Sequence, residues 1–267
     1  MRSLGVHYNR FSSDEKTDVV FVLRQAKMQG YDQLEIDAHF LESLSPLSRK
    51  RLSLEARNQQ LDLSYSVIPS SALCSLDDDE HRASQAHMQT IIQIIGTMGG
   101  GFLNGPLYGA FPCSRGNTDQ LKPCFERSVK SLRILSLIGS EEDVMLNVLP
   151  VNRYEHFLIP TAEQARHLVQ AVNHPNCGID LDTFHMNIEE TSLGQAIASA
   201  GIYLRCVHLR DNTGGPFGSG CFPWDVLKNA LDDLSYEGAL VHAPSFSLEQ
   251  PSVGYEGKRI KTFFYQS

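Results

Sequence analysis

Basic residues are the scarcer charge in this sequence. Lys and Arg number 23 against 31 Asp and Glu, a formal net charge of −8 over 267 residues. That balance argues against a nucleic-acid surface, which needs clustered Lys and Arg to displace counterions. The one short basic run, Arg49-Lys50-Arg51, falls in a predicted helix and reads as a solvated face. Long apolar runs are missing as well. The longest are strand-length, far short of a membrane span, and Ser12 to Lys16 interrupt the early apolar residues before a signal-peptide core could form. Neither nucleic acid nor membrane is an expected partner. None of the six cysteines (Cys74, Cys113, Cys124, Cys177, Cys206, Cys221) belongs to a C-x-x-C pair. The paired spacing of a structural zinc site is therefore absent, and reduced thiols in a cytoplasmic protein are expected.

What the sequence does have is alternation. Short apolar runs of strand type (Leu4 to Tyr8, Gln33 to Ala38, Leu61 to Ile68, Gly101 to Gly105, Val144 to Leu149, Gly178 to Asp182, Tyr203 to Arg210, Ala239 to His242) are separated by helix-period stretches. The helical stretches lie near residues 14–29, 45–59, 80–98, 121–138, 161–173, 192–200 and 224–234. Ser13-Asp14 and the capping-box pair Thr161 and Gln164 are start signals, and Gly30 suits a left-handed C-cap. Strands alternating with helices imply a parallel sheet with crossover helices. About eight such units in ~250 residues is the size of an α/β (β/α)8 TIM barrel. A doubly wound open sheet usually carries a Gly-rich turn after its first strand, and Val6-His7-Tyr8-Asn9-Arg10 has none. With no composition break or repeat, one domain over residues 1–267 is expected.

In such a barrel the working residues lie at the C-terminal strand ends and in the following loops. This selects His7 and Tyr8, Asp37 and His39, Tyr108, Asn152 to Glu155, Asp182 to His185, His208 to Asn212, and His242. Alternation puts Asp180 and Asp182 on one face of the sixth strand, beside His208 on the seventh. That pairing suits a divalent-cation site, an acid/base pair, or a hydrogen-bonded pair that only closes the barrel mouth. Asn152-Arg153-Tyr154-Glu155 reads either as helix-entry capping or as a group that orients a polyhydroxylated ligand. Trp224, the single tryptophan, reads as a packing anchor.

Leu181 to Glu190, LDTFHMNIEE, resembles the signature of the D-tagatose/D-psicose 3-epimerases of the xylose isomerase-like barrels. Val151 to Glu155, Val207 to Trp224 and Gly238 to Pro244 resemble further motifs of that family, and Leu34 to Phe40 does so more weakly. The resemblance implies a divalent metal, Mn²⁺ or Co²⁺, held by Glu, Asp, His and Glu from four successive strands. It also implies that the two glutamates move the proton at C3 of a ketose. Carried over, the Asp falls on Asp182 and the His on His208, but the glutamates fall on Leu149 and Ala243. The substrate-contact Glu and His fall on Glu155 and His185, the Glu after the metal His on Asp211, and the substrate Arg on Gly214.

A site stripped of two carboxylates is expected to hold no cofactor, or a divalent metal only weakly. His242 joins Asp182 and His208 only if a bulge re-aims it. Asn147 lies one layer too deep to replace a ligand. The expected catalytic group is then His185, Glu155 and Asp211, with His7, Tyr108, Arg153, Glu155 and His185 binding a small sugar or polyol. Three functions remain open: a divergent sugar isomerase or epimerase with altered or lost chemistry, a silent barrel serving as a regulatory or scaffold subunit, and a metal-independent lyase or dehydratase with a histidine base. The resemblance also implies a homodimer or homotetramer.

Overall fold

A computed structural model describes residues 2–11, 18–70, 72–110, 118–214, 217–243 and 256–265. Its strands are β1 (Leu4–His7), β2 (Gln33–Asp37), β3 (Asp62–Ser66), β4 (Gly101–Gly105), β5 (Val144–Val148), β6 (Cys177–Asp182), β7 (Leu204–Leu209) and β8 (Ala239–His242). All eight pair in parallel in chain order and β8 closes on β1, giving the (β/α)8 barrel that the alternation implies. Boundaries differ from the sequence expectation by one or two residues, as at β3 and β7.

The helices are α1 (Val19–Met28), α2 (Ala38–Ser43), α3 (Pro46–Asn58), α4 (Asp78–Thr97), α5 (Leu121–Glu141), α6 (Ala162–Val172), α7 (Thr183–Glu189), α8 (Leu193–Ala200), α9 (Trp224–Asp233) and α10 (Glu256–Tyr265). Each long helix turns one apolar stripe to the barrel. In α4 the stripe is Met88, Ile91, Ile92 and Ile95, and in α6 it is Ala165, Leu168, Val169 and Val172. Thr161 caps α6 through the reciprocal box with Gln164, and Gly30 follows α1 at φ +89°, both as their residue types predict. The start signal Ser13-Asp14, Cys113 and Pro244 lie outside the described residues. The described α1 begins later, with Asp18 capping it through Val20 N–H at 3.0 Å.

Three helices fall outside the expected helical stretches: α2, α7 and the C-terminal α10. α2 and α7 have six and seven residues, too short to display a stripe. Each starts where a strand stops, and the last strand residue is its cap. Asp37 accepts from His39 N–H and Asp182 from Phe184 N–H, both at 2.8 Å. Two acidic strand ends thereby set the backbone at the mouth of the barrel.

The apolar core lies mainly between strands and helices. A separate small cluster, Cys206, Ala239 and Val241 with Phe102 against it, shares the barrel with buried polar residues: Gln33, Glu35, Ser64, Asn104, Asn147, Asp180 and His208. Barrel interiors are usually filled by branched apolar side chains. Here the polar fill leads up to the C-terminal mouth. Among the described residues, no helix is long and apolar enough to cross a membrane.

Candidate functional site

The C-terminal mouth opens into a cavity of about 390 Å³, within the range of small-molecule sites. At its floor, side chains from five strands form a continuous network. His208 Nδ1 lies 2.8 Å from Asp180 Oδ1, and its Nε2 lies 2.7 Å from Glu35 Oε1. A carboxylate oxygen only accepts, so both ring nitrogens donate and His208 is an imidazolium. Burial opposes that charge, but Asp180 and Glu35 outweigh it and hold the ring protonated well above the usual histidine range. Burial likewise opposes ionisation of Glu35, yet His208 brings its carboxyl down to about 2. Burial wins at Asp180, pushed up to about 6 against the pull of His208. Asn104 donates to Glu35 Oε2 at 2.6 Å and accepts from Asn147 Nδ2 at 2.8 Å. Asp180 also joins Cys206 and His208 in a cluster of donor atoms close enough to share a metal. With both nitrogens of His208 turned to carboxylates, that ring has no lone pair for an ion.

Above this floor, Asp182 faces Arg210 rather than His208. Arg210 NH2 is 2.9 Å from Asp182 Oδ2, an ion pair whose angles fall short of a hydrogen bond, since that oxygen has no hydrogen-bond partner. Burial disfavours the charged carboxylate, but Arg210 outweighs it and keeps Asp182 ionised below the ordinary range. The guanidinium carbon also sits 5.6 Å over the Phe184 ring.

On the facing wall, Asn152 ties two further residues together. Its Nδ2 donates to Glu155 Oε1 at 2.9 Å and to His185 Nδ1 at 2.8 Å, and its backbone N–H also points to His185 Nδ1 at 3.3 Å. With Nδ1 accepting, the proton of neutral His185 resides on Nε2. Burial first, then Arg210 and His208, holds the ring neutral against the attraction of Asp182 and Glu155. His7 is fixed in the same tautomer: Asn9 N–H donates to Nδ1 at 3.2 Å and Nε2 lies 3.0 Å from Ser66 Oγ.

The cavity thus gathers His7, Glu155, Asp182, His185 and His208 from the sequence candidates, together with Asp37. It gathers neither Tyr8 nor His39, nor four residues of the expected catalytic, binding and metal sets. Asp211 is buried in the loop after β7, where its Oδ1 accepts from Thr213 N–H at 3.4 Å; alternation from His208 turns it away. Arg153 grips Glu189 through Nε and NH2 at 2.7–3.0 Å, which fastens the loop to α7 instead of reaching a ligand. Tyr108 is fully buried and donates to the Ile159 carbonyl at 3.2 Å, a packing role. His242 stays on the outer face of β8, with Nδ1 3.0 Å from Tyr31 Oη and Nε2 3.5 Å from Glu256 Oε1; no bulge re-aims it toward His208. Trp224 packs on Phe217 and Phe222 at 4.4 and 4.5 Å, as a packing anchor.

Sequence reasoning missed Glu35 and the role of Arg210. The signal for Glu35 was available: it lies two residues before Asp37 on β2, so the same alternation that aims Asp37 at the mouth aims Glu35 into the barrel. Arg210 had the corresponding relation to His208.

Comparison with known proteins places this geometry. Residues 23–253 match the family model of the xylose isomerase-like TIM barrel. A D-psicose 3-epimerase of Ruminiclostridium cellulolyticum is 31% identical over 242 residues, 90% of this chain and 83% of that protein. Another from Enterocloster bolteae is 30% identical over 258 residues, 95% and 85% of the two chains. The crystal structure of D-psicose 3-epimerase with D-tagatose from Clostridium cellulolyticum superposes with a TM-score of 0.87 at 31% identity, covering 97% of this chain and 89% of that one. With strand order and sequence in agreement, the chain belongs to the xylose isomerase-like TIM-barrel family, among relatives of the ketose 3-epimerases.

Proposed function

We propose that this barrel binds a neutral ketose, polyol or similar polyhydroxylated sugar at its C-terminal mouth, and that metal-dependent epimerisation at C3 is altered or lost. The observation that carries the reading is the cation beside Asp182. The Arg210 guanidinium, 2.9 Å from Oδ2, neutralises the carboxylate that the family resemblance assigns to a divalent ion. Leu149 and Ala243 line the same cavity and offer no side-chain ligand atom. Of the four implied ligand positions only Asp182 and His208 carry donors, and both are engaged by protein partners. A hard divalent ion needs about six donors with anionic ones supplying most of the affinity. These residues do not fit it, and no step is assigned to it.

Charge supports the ligand class. Five carboxylates (Glu35, Asp37, Glu155, Asp180, Asp182) line the cavity, against the two cations His208 and Arg210. Hydroxyl donors meet acceptors there, while a sugar phosphate meets repulsion. His185 Nε2–H and the Glu155 carboxylate, locked together by Asn152, form a donor and acceptor pair suited to a vicinal diol. Any proton transfer falls to a carboxylate rather than to a histidine. His7 and His185 hold their lone pairs in hydrogen bonds, and His208 is already protonated, which disfavours the histidine-base lyase. An open cavity with fixed polar walls likewise favours a ligand over a purely scaffolding role.

The test is a melting-temperature screen against ketoses (D-tagatose, D-psicose, D-fructose), polyols and sugar phosphates, with chromatographic assay of C3 exchange in EDTA and in added Mn²⁺ or Co²⁺. A rise in Tm with at least one neutral sugar and no metal-stimulated exchange are expected. No shift with any neutral sugar, or EDTA-sensitive epimerisation, would sink the reading.

A further inference from the structure

A second cluster of ligating side chains lies outside the cavity, on the face between α2 and α4. His39 and Glu42 are three residues apart on α2 and so share a side of that helix. His87 reaches them from α4. His39 Nδ1 is 3.1 Å from Glu42 Oε2, and His87 Nε2 is 2.9 and 3.1 Å from Oε1 and Oε2 of the same carboxylate. One donor atom from each of the three lies within 4.8 Å of the others, and the two imidazoles stack with centroids 5.7 Å apart at 17°.

The hydrogen bonding defines what this arrangement wants. His39 Nε2 lies 3.1 Å from the Ile68 carbonyl oxygen, which can only accept, so Nε2 carries a hydrogen. In the neutral ring the Nδ1 lone pair then faces a carboxylate oxygen, and His87 Nε2 faces both oxygens. Lone pair against lone pair is repulsive unless an electrophile stands between them. A neutral His87 can donate from Nε2 to Glu42, but a donor on His39 Nδ1 as well as on Nε2 makes that ring an imidazolium. One divalent cation satisfies all three donors at once.

We propose that His39, Glu42 and His87 bind a single divalent transition-metal ion of the zinc class. Two imidazoles and one carboxylate are the donor set that Zn²⁺ accepts, with a fourth position left for water. The backbone carbonyl that holds the remote N–H of His39 is the usual outer partner of a ligating histidine. Side-chain exposures of 37%, 27% and 33% for His39, Glu42 and His87 leave the ion a path from solvent. The site abuts the sugar cavity without belonging to it. Asp37 caps the His39 N–H and Ile68 anchors its ring, and both also line the cavity. A bound ion would pin α2 to α4 and stiffen that wall.

Zn²⁺ alone, titrated calorimetrically into the full chain after chelator treatment, tests the assignment, with Co²⁺ absorption as a report on coordination geometry. One tight equivalent is expected, together with a rise in Tm on saturation. His87→Ala and Glu42→Gln, each checked by circular dichroism for an intact fold, should each weaken that equivalent by about tenfold or more and abolish the Tm rise. Asp182→Ala should leave it unchanged. No binding at millimolar Zn²⁺, or a tight equivalent indifferent to both His87→Ala and Glu42→Gln, overturns the site.

Discussion

Cations inside a barrel must come from somewhere, and at residue scale this protein supplies its own. His208 is charged between Glu35 and Asp180, and Arg210 is charged beside Asp182. Both groups are fixed by covalent connection, so their cost of ordering is met when the chain folds. Glu35 is fully buried, and removing one partner of a buried ion pair strands the other. Glu35→Ala should therefore lose about 3–5 kcal/mol in urea unfolding, with a smaller loss for Glu35→Gln. The proposed reading of the mouth also has a constructive test. Leu149→Glu with Ala243→Glu and Arg210→Gly restores the missing carboxylates and removes the competing guanidinium. That variant should bind Mn²⁺ in calorimetric titration under conditions where the parent chain does not. Failure to gain binding in a folded variant would mean that other features of the mouth, not these three positions, exclude the ion.

At the scale of elements, the caps and strand ends decide where the mouth residues stand. Thr161→Ala removes the capping box of α6 and should cost about 1 kcal/mol in chemical denaturation, leaving sugar-induced Tm shifts intact, because α6 does not reach the cavity. Gly105 behaves differently. It ends β4 at φ +145°, and a Cβ there would collide with the Val67 carbonyl oxygen. Its own carbonyl accepts the Leu149 N–H at 2.8 Å. Gly105→Ala should therefore cost about 2 kcal/mol or more and disturb the cavity wall as well. Both readouts together, lower stability and a diminished ligand shift, separate it from Thr161→Ala.

The whole molecule carries two buried histidines outside the cavity that are held neutral. Burial brings His242 down to about 4 against the attraction of Glu256, and burial brings His156 to about 4. A histidine with a depressed folded-state pKa binds fewer protons when folded than when unfolded between pH 4 and about 6.5. Stability therefore rises with pH across that window and falls on acidification through it. Each residue accounts for roughly 3 kcal/mol if the full shift is realised. Urea midpoints measured from pH 7 to pH 4 should fall steadily, and His156→Gln should flatten part of the slope. Asp180, raised to about 6, acts against them over the same window, so the deciding readout is the change in slope on His156→Gln, and an unchanged slope would mean that His156 is not held neutral. His208 acts with the opposite sign, since its raised pKa adds stability below about 6.5 that is lost only as pH rises toward its folded value.

Sequence by itself determined the barrel. Alternating strand-length and helix-length periods admit few other architectures for eight parallel units, and local signals such as Thr161 with Gln164 and the glycine at position 30 act within a few residues of where they are written. It also placed Asp182 and His208 at the mouth, on the inward phase of a period-2 pattern, while Glu155 and His185 were implied there by the family resemblance of their motifs. What it left undecided depends on distances across the barrel. Asp211, Arg153, Tyr108 and His242 were selected by proximity in sequence to strand ends, yet their side chains are claimed by Thr213, Glu189, the Ile159 carbonyl and Tyr31. Glu35 meets His208 across 173 positions of chain, and Arg210 finds Asp182 only because β6 and β7 pair in the register that sets Asp182 opposite His208. Local rules fix periodicity and caps; which charges neutralise one another is fixed by the closure of the sheet, and only the tertiary structure decided it.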